Sequence, residues 1–439
     1  MNGLRVGIIG AGRSGVAAAK FLRRLGVRVL LSDRQRITAS LPSSIQTESG
    51  PHSDRLLDCD LIIRSPGVPN HLPIMKKIAL RRIRVWSELE LASRFARAEH
   101  LVAITGTNGK TTTTTLVGEF FKTLRRPLFV AGNIGMPLSE VALKTTPRST
   151  IVLEVSSYQL ENIESFHPTL SAILNITPDH LEHHGSMKAY ASAKGRIFEN
   201  QTKDDVCVLN ADDPWCRRLA RRCPARVCWF SRRQKVRKGV YYDGHGNIVL
   251  RWGNYRSRFA LRTHLPGPHN IENILAAVAL ALAGGVSLSA IRRVLARFHG
   301  VEHRLELVRI LHGVRYVNDS KATNVDSTRV ALASFADPLI VILGGEGKGA
   351  PYSPLKSLIR KRAKRLLVIG EDTPAIVREL KGIVPLEKVG HLAKAVQHAS
   401  RVAEHGDVVL LSPACASFDQ YNNYEERGRH FKRLVKKLA

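Results

Sequence analysis

The sequence predicts an α/β protein of three domains: a Rossmann-like N-terminal domain (1–96), a central P-loop ATPase-type mononucleotide-binding domain (97–297) and a C-terminal Rossmann-like α/β domain (298–439). Three observations predict it. A chain of 439 residues exceeds what one hydrophobic core usually serves. Two glycine-rich turns, at Gly10 and Gly106, each follow a short apolar strand and open a helix. After residue 300, apolar runs again alternate with helical patterns, as a parallel sheet requires.

In the first domain, Arg5 to Ile9 reads as a buried strand, followed by Gly10-Ala11-Gly12-Arg13-Ser14-Gly15 and an amphipathic helix through Leu25. Val27 to Leu31 is a second strand, and Asp33 lies just beyond it. This is a complete Gly-x-Gly-x-x-Gly fingerprint with an acid placed for a ribose hydroxyl, and alone it says NAD. Its physical content is narrower: a diphosphate at a helix N-terminus beside a ribose. A chain with its own P-loop and no visible dehydrogenase residues has little use for NAD, so a UDP-linked substrate is preferred. An NAD-dependent oxidoreductase is the rival from another class. Leu61 to Pro69 is a strand running into the rigid turn Ser65-Pro66-Gly67, and a helix is expected to start at Trp86.

The central domain opens with Leu101 to Thr105, then Gly106-Thr107-Asn108-Gly109-Lys110-Thr111-Thr112, with a helix expected from about Thr112. Converging backbone N–H groups and a helix N-terminus cradle phosphate. Lys110 supplies a mobile positive charge for the β/γ-phosphates, and the Thr111 hydroxyl a hard ligand for magnesium. Gly132-Asn133 is a tight turn after another strand. Glu154 stands near the end of the strand Ser149 to Val155, where a carboxylate suits magnesium. Leu170 to Ile176 is a further strand, leading to Asp179, His180, Glu182, His183 and His184. That content suggests zinc, but the spacing is imperfect and no thiolate accompanies it; a loop histidine helping a second magnesium is preferred. Lys194, in the helical stretch Tyr190 to Phe198, reads as a surface lysine. Arg217 to Tyr255 is basic, with a small antiparallel hairpin around Gly244-His245-Gly246-Asn247. Asn270 and Asn273 share a face of the first turn of a long helix, placed for nucleotide contacts or for capping.

In the third domain, strands at Leu307 to Leu311 and Val314 to Val317 end in Asn318-Asp319-Ser320-Lys321-Ala322-Thr323-Asn324. Pro338 to Leu343 runs into a second Gly-Lys turn at Gly347-Lys348, with no Ser or Thr after the lysine. Arg365 to Gly370 and Asp407 to Ser412 complete the strands, and Pro413 to Tyr421 leads to a closing helix.

Composition excludes some classes. No apolar run reaches the roughly 18–20 residues of a membrane helix, so no transmembrane segment is expected. The N-terminus enters a strand directly, without a signal peptide. Six cysteines form no Cys-x-x-Cys pair, which fits a reducing compartment and a cytoplasmic protein. The net charge of +30 gathers at Arg81-Arg82, Arg217-Arg218, Arg221-Arg222, Arg232-Arg233 and Arg360 to Arg365. Nucleic acid or an anionic membrane face would attract such charge. With no recognisable nucleic-acid module and no aromatic–basic interleaving, a solvated basic surface on a monomer is preferred, and no nucleic-acid partner is expected.

Taken in order, Thr105 to Thr113, Glu154-Val155-Ser156-Ser157-Tyr158-Gln159-Leu160-Glu161, His303-Arg304, Asn318 to Asn324 and Ser412 to Gln420 resemble the Mur ligases along essentially the whole chain. The P-loop variant is shared by all these ligases and by folylpolyglutamate synthase. The N-terminal fingerprint and the stretches at Glu154 and Ser412 look like the D-glutamate-adding branch.

The resemblance implies an ATP-dependent amide-forming ligase of cytoplasmic peptidoglycan precursor synthesis. It would add D-glutamate to UDP-N-acetylmuramoyl-L-alanine through an acyl phosphate, using ATP and two magnesium ions but no NAD. By residue matching, Lys110, Glu154, His180 and Lys194 are catalytic. Thr111, Glu154, His180 and a carbamylated Lys194 hold metal. Gly106 to Thr112, Asn270, Asn273, Arg304, Asp319 and Lys321 surround ATP. Gly10, Gly12, Arg13, Ser14, Gly15, Asp33, Ser65, Pro66, Gly67 and Asn133 hold the UDP-sugar. Thr323, Lys348, Ser417, Phe418 and Tyr424 receive D-glutamate. One departure is Arg34-Gln35-Arg36, where the family often has Thr or Ser and then Arg. A Mur ligase with another amino-acid specificity is the alternative within the class.

Overall fold

Three largely parallel sheets frame the computed structural model, which describes residues 3–69, 71–133, 135–347 and 349–439. The contacts divide the chain into two units, Met1–Arg262 with Ile271–Leu295, and Thr263–Asn270 with Ala296–Ala439.

The first unit holds two sheets. Strands β1 (Arg5–Ile9), β2 (Arg28–Asp33), β3 (Gln46–Ser49), β4 (Leu61–Arg64) and β5 (Arg84–Ser87) form an all-parallel sheet in the order β3-β2-β1-β4-β5. Val6, Ile8, Ile9, Ile62 and Ile63 are completely buried, which is why these strands read as continuous apolar runs instead of alternating ones. Helices α1 (Arg13–Arg24), α2 (Pro73–Leu80) and α3 (Glu88–Ser93) belong with this sheet. The order reverses at β1, and the crevice between the carboxyl ends of β1 and β4 is where such a sheet takes its ligand. Trp86 and Ser87 finish β5, so the helix expected there starts later. Ser87 is its N-cap, with its hydroxyl accepting from the Glu90 amide at 3.2 Å.

The second sheet of this unit has nine strands in the order β14-β13-β12-β11-β10-β9-β6-β8-β7. They are β6 (His100–Thr105), β7 (Leu128–Gly132), β8 (Thr150–Glu154), β9 (Leu170–Ile173), β10 (Val206–Asn210), β11 (Arg226–Ser231), β12 (Gly239–Tyr242), β13 (Asn247–Trp252) and β14 (Tyr255–Ala260). The sheet is parallel up to β12, and β12 to β14 continue it as an antiparallel meander. The expected hairpin is therefore one part of a longer extension. Its β11, and the short helix that precedes it, are hidden in sequence by arginines.

Helices α4 (Lys110–Lys122), α5 (Ser157–Glu161), α6 (Leu181–His184), α7 (Met187–Gly195), α8 (Pro214–Ala220), α9 (Pro268–Ala283) and α10 (Leu288–Leu295) follow in chain order. Helix α4 starts at Lys110, not Thr112, because Gly109 caps it with φ +85°. Asp213 caps α8 and also accepts from the Ile176 amide at 2.9 Å.

The second unit is built on β15 (Glu306–Leu311), β16 (Val314–Asn318), β17 (Leu339–Gly344), β18 (Ala363–Ile369), β19 (Leu386–Gly390) and β20 (Val408–Leu411), in the order β15-β16-β20-β17-β18-β19. All pairs are parallel except β15 with β16. Its helices are α11 (Val325–Ala333), α12 (Lys356–Arg362), α13 (Thr373–Leu380), α14 (Leu392–Val402) and α15 (Tyr424–Lys436). All six cysteines are free thiols. Among the described residues no helix is long and apolar enough to cross a membrane.

Candidate active site

A cavity of about 760 Å³ opens at the carboxyl ends of β1 and β4. Gly10, Gly12, Arg13, Ser14, Asp33, Ser65, Pro66, Gly67 and Asn133 line it, so nine of the ten residues expected to hold a UDP-sugar are brought together. Gly15 stands behind them. A Cβ there would lie 1.9 Å from the Gly10 carbonyl oxygen, and one at Gly10 would lie 2.8 Å from Ser65 Cβ. Close packing of turn against helix therefore demands both glycines. At Gly12 nothing lies within 4 Å of the place a Cβ would take, which leaves the backbone open to a ligand. Asp33 has a structural task that sequence did not suggest: its carboxylate accepts from the Ala11 amide (2.5 Å) and the Gln35 amide (2.8 Å), fixing the turn. His52 also lines the cavity, held by a 2.6 Å hydrogen bond between its Nδ1 and Ser32 Oγ. Burial lowers its pKa against the pull of Asp33 and Glu48.

At the phosphate loop, Thr111 donates to Glu154 Oε2 and Asn133 Nδ2 to Glu154 Oε1, both at 2.8 Å. Glu154 is 2% exposed, so these two bonds offset part of the cost of burying its charge. A hydroxyl and a carboxylate held together in this way are hard oxygen donors, and they fit a magnesium ion. Lys110 Nζ donates to the carbonyls of Gly106 (2.9 Å) and Thr107 (2.8 Å). Asn175 clamps Asn108 from both sides, accepting from its amide at 2.8 Å and donating to its carbonyl at 3.1 Å. Asn273 Oδ1 lies 2.0 Å from where a Cβ on Gly109 would be, which places this asparagine against the loop. Thr112 is buried within α4.

Lys194 is not a surface lysine. It is 2% exposed, its Nζ donates to the Gly106 carbonyl at 2.9 Å, and it sits 4.6 Å above the Tyr190 ring. Burial, with Lys110 nearby, drives its pKa far below the usual ammonium range. The Tyr190 hydroxyl in turn meets Thr107 Oγ1 at 3.2 Å. His180 adopts φ +52° at the start of α6, facing Asp179, Glu182 and the Tyr158 ring. His183 and His184 turn instead to Glu161 (2.7 and 3.3 Å), whose other oxygen pairs with Arg64 at 2.7 Å.

In the second unit, His269, Arg304, Asp319, Lys321 and Ala322 surround a small pocket. Asp319 accepts from Ser412 Oγ (2.9 Å) and the Leu305 amide (3.2 Å). Burial raises its pKa to about 7, although Arg304 opposes the shift. Asn270, within the first turn of α9, donates from Nδ2 to the Pro266 carbonyl at 2.6 Å. Lys321 Nζ lies 5.6 Å from the Tyr424 ring. Ser417 is buried, Phe418 exposed and Thr323 half-buried; Lys348 lies outside the described residues. Arg427, missed in the sequence, is a buried guanidinium that donates to Ser320 Oγ and to the carbonyls of Ser320, Ala416 and Cys415 at 2.9–3.2 Å. It ties the loop bearing Asp319, Lys321 and Thr323 to the loop bearing Ser417 and Phe418.

Three family models match consecutive stretches: the MurD-like N-terminal domain of Mur ligases over residues 4–87, the Mur ligase middle domain over 104–281, and the Mur ligase glutamate ligase domain over 303–415. The curated UDP-N-acetylmuramoylalanine--D-glutamate ligase of Elusimicrobium minutum is 42% identical, covering 100% of this chain and 98% of its own. That of Koribacter versatilis is 45% identical with the same coverage. The chain belongs to the Mur ligase family. Among solved structures, UDP-N-acetylmuramate-alanine ligase MurC from Thermotoga maritima matches with a TM-score of 0.61 at 21% identity, over 99% of both chains. A pseudomurein peptide ligase type C from Methanothermus fervidus matches with a TM-score of 0.60 at 17% identity, over 99% of this chain and 100% of its own. These two share the Mur ligase fold.

For this Mur ligase, sequence reasoning missed His52, Asn175 and Arg427 for one reason. Each is placed by residues far along the chain, and none belongs to a local motif.

Proposed function

We propose that this Mur ligase joins D-glutamate to the terminal carboxylate of UDP-N-acetylmuramoyl-L-alanine, converting ATP to ADP and phosphate. The observation that carries the reading is identity of 42–45% over the full chain with relatives of that name. The domains are the three read from the sequence, 1–96 for the UDP-sugar, 97–297 for ATP and 298–439 for the amino acid. The protein works in the cytoplasm as a monomer.

The cavity at Gly12 and Asn133 holds the UDP-sugar, with the Gly12 backbone facing the diphosphate. Backbone amides of the phosphate loop and Lys110 hold the ATP phosphates and offset the charge that builds on the transferred group. Asn270, Asn273, Arg304, Asp319 and Lys321 complete the ATP site. Two magnesium ions, when bound, would supply positive charge that lowers the repulsion between ATP and the substrate carboxylate. Thr111, Glu154, His180 and Lys194 are the residues that would hold them. The neutral Lys194 amine favoured by burial is the form that adds carbon dioxide, and the resulting carbamate supplies the anionic oxygen an ammonium lacks. Thr323, Lys348, Ser417, Phe418 and Tyr424 receive D-glutamate, with Lys348 binding a carboxylate. The amine then attacks the acyl phosphate and phosphate leaves; orientation and charge neutralisation account for most of the acceleration.

The test is phosphate release from ATP with UDP-N-acetylmuramoyl-L-alanine, comparing D-glutamate with L-glutamate, L-alanine and L-lysine. Turnover with D-glutamate alone is expected. Equal turnover with another amino acid would replace the assignment with a different Mur ligase specificity.

A further inference from the structure

The net positive charge is densest in one stretch of the chain. Residues 214–262 hold fourteen Lys and Arg against a single acid, Asp243, whereas residues 97–213 hold eleven against thirteen acids. The basic stretch forms α8 and β11 to β14, the far end of the nine-stranded sheet. Six strand positions separate β14 from the P-loop strand β6, on the order of 30 Å at ~4.8 Å per strand. Attraction of ATP into its own site does not account for charge so far away.

The meander orients that charge. Arg251 on β13 stands directly opposite Arg256 on β14, and Val249 opposite Arg258. Opposed residues share a face, so Arg251, Arg256 and Arg258 project together and are exposed. Asp243 pairs with Arg258 at 2.6 Å and neutralises one of the three. Ile248, Leu250 and Phe259 bury the other face. Like charges directly opposed disfavour the pairing, and an anionic partner laid over them removes that repulsion.

Two aromatic rings of this stretch lie under guanidiniums. Arg218 lies over Trp215 at 4.8 Å and Arg251 over Tyr241 at 5.6 Å. Tyr241 is 3% exposed, so a nucleic-acid base finds no open ring at Tyr241 to stack on. Among the described residues of this stretch no large aliphatic side chain is exposed for insertion into a bilayer.

We infer that the open face of β13 and β14 docks peripherally on an anionic phospholipid surface, bound through phosphate charge. The full chain is sedimented with vesicles of phosphatidylcholine alone and of phosphatidylcholine mixed with phosphatidylglycerol, and titrated separately with single-stranded and duplex RNA. Binding to the anionic vesicles alone is expected, weakening as salt rises. The triple variant Arg251→Gln, Arg256→Gln, Arg258→Gln lowers partitioning by about a hundredfold, about fivefold for each arginine. A second variant, Arg233→Gln, Arg237→Gln, Lys238→Gln, in the segment leading into β12, also lowers it and covers a failure of the first to fold. A control of equal charge loss, Arg81→Gln, Lys381→Gln, Lys388→Gln, retains binding. Equal binding to neutral vesicles, losses no greater than the control's, or tighter binding to RNA than to vesicles would overturn the inference.

Discussion

A lysine buried beside another lysine gives up its proton readily, and Lys194 is in that position. Nothing in the stretch Met187 to Gly195 marks it as buried, because its spacing on α7 suits a solvated face as well as a core one. Its place becomes visible only when the fold brings the Gly106 carbonyl to its Nζ. Lys194→Ala is expected to reduce ligation by at least about a hundredfold, of the order found when a group acting only in the transition state is removed. Short-chain carboxylates should restore part of the rate in a phosphate-release assay; no restoration would remove the carbamate role. Asp319 carries a pH signature. Its folded-state pKa of about 7 stands above the ordinary 3.8, so the stability of the protonated form is fully present below about pH 4 and is lost as pH rises through about 7. Thermal unfolding from about pH 5 to about pH 8 should therefore show wild type losing stability relative to Asp319→Asn.

At the scale of elements, strand–turn–helix units were legible because their signals are local. Apolar runs buried on both faces, a glycine turn and a helix start sit within a few residues of each other. Gly12 and Gly15 separate the two uses of glycine in such a turn. Gly15→Ala forces a methyl toward the Gly10 carbonyl and should cost about 1–3 kcal/mol of unfolding free energy. Gly12→Ala has room, so its melting temperature should hold while KM for the UDP-sugar rises. A melting temperature lowered equally in both variants would contradict that division. Strand β11 escaped reading because arginines flank its short apolar run, Val227 to Phe230, and β19 because Glu387 and Lys388 interrupt its own. Arg427 is an element-scale tie. Arg427→Met leaves buried acceptors on two loops unpaired and should destabilise the second unit by about 2–4 kcal/mol, measured by urea unfolding, while raising KM for D-glutamate.

Across the whole molecule, fold class followed from the order of motifs, and three sheets stand where three were expected. The cavity at the carboxyl ends of β1 and β4 was legible because most of its residues cluster at the Gly10 and Ser65 turns of one sheet. The residues proposed to hold magnesium were only partly legible as a set. Thr111, Glu154 and a loop histidine each read as suited to magnesium from local context, whereas Lys194 was joined to them only by resemblance. Total charge was plain in composition and the basic run from Arg217 in sequence, but the shared face on which Arg251, Arg256 and Arg258 stand was not. The central claim is that the substrate carboxylate is activated by phosphoryl transfer at the P-loop. The most direct test is ligation with UDP-N-acetylmuramoyl-L-alanine whose terminal carboxylate carries heavy oxygen. The account predicts one heavy oxygen atom in each phosphate released, in step with amide formation. Unlabelled phosphate alongside full amide yield would contradict it.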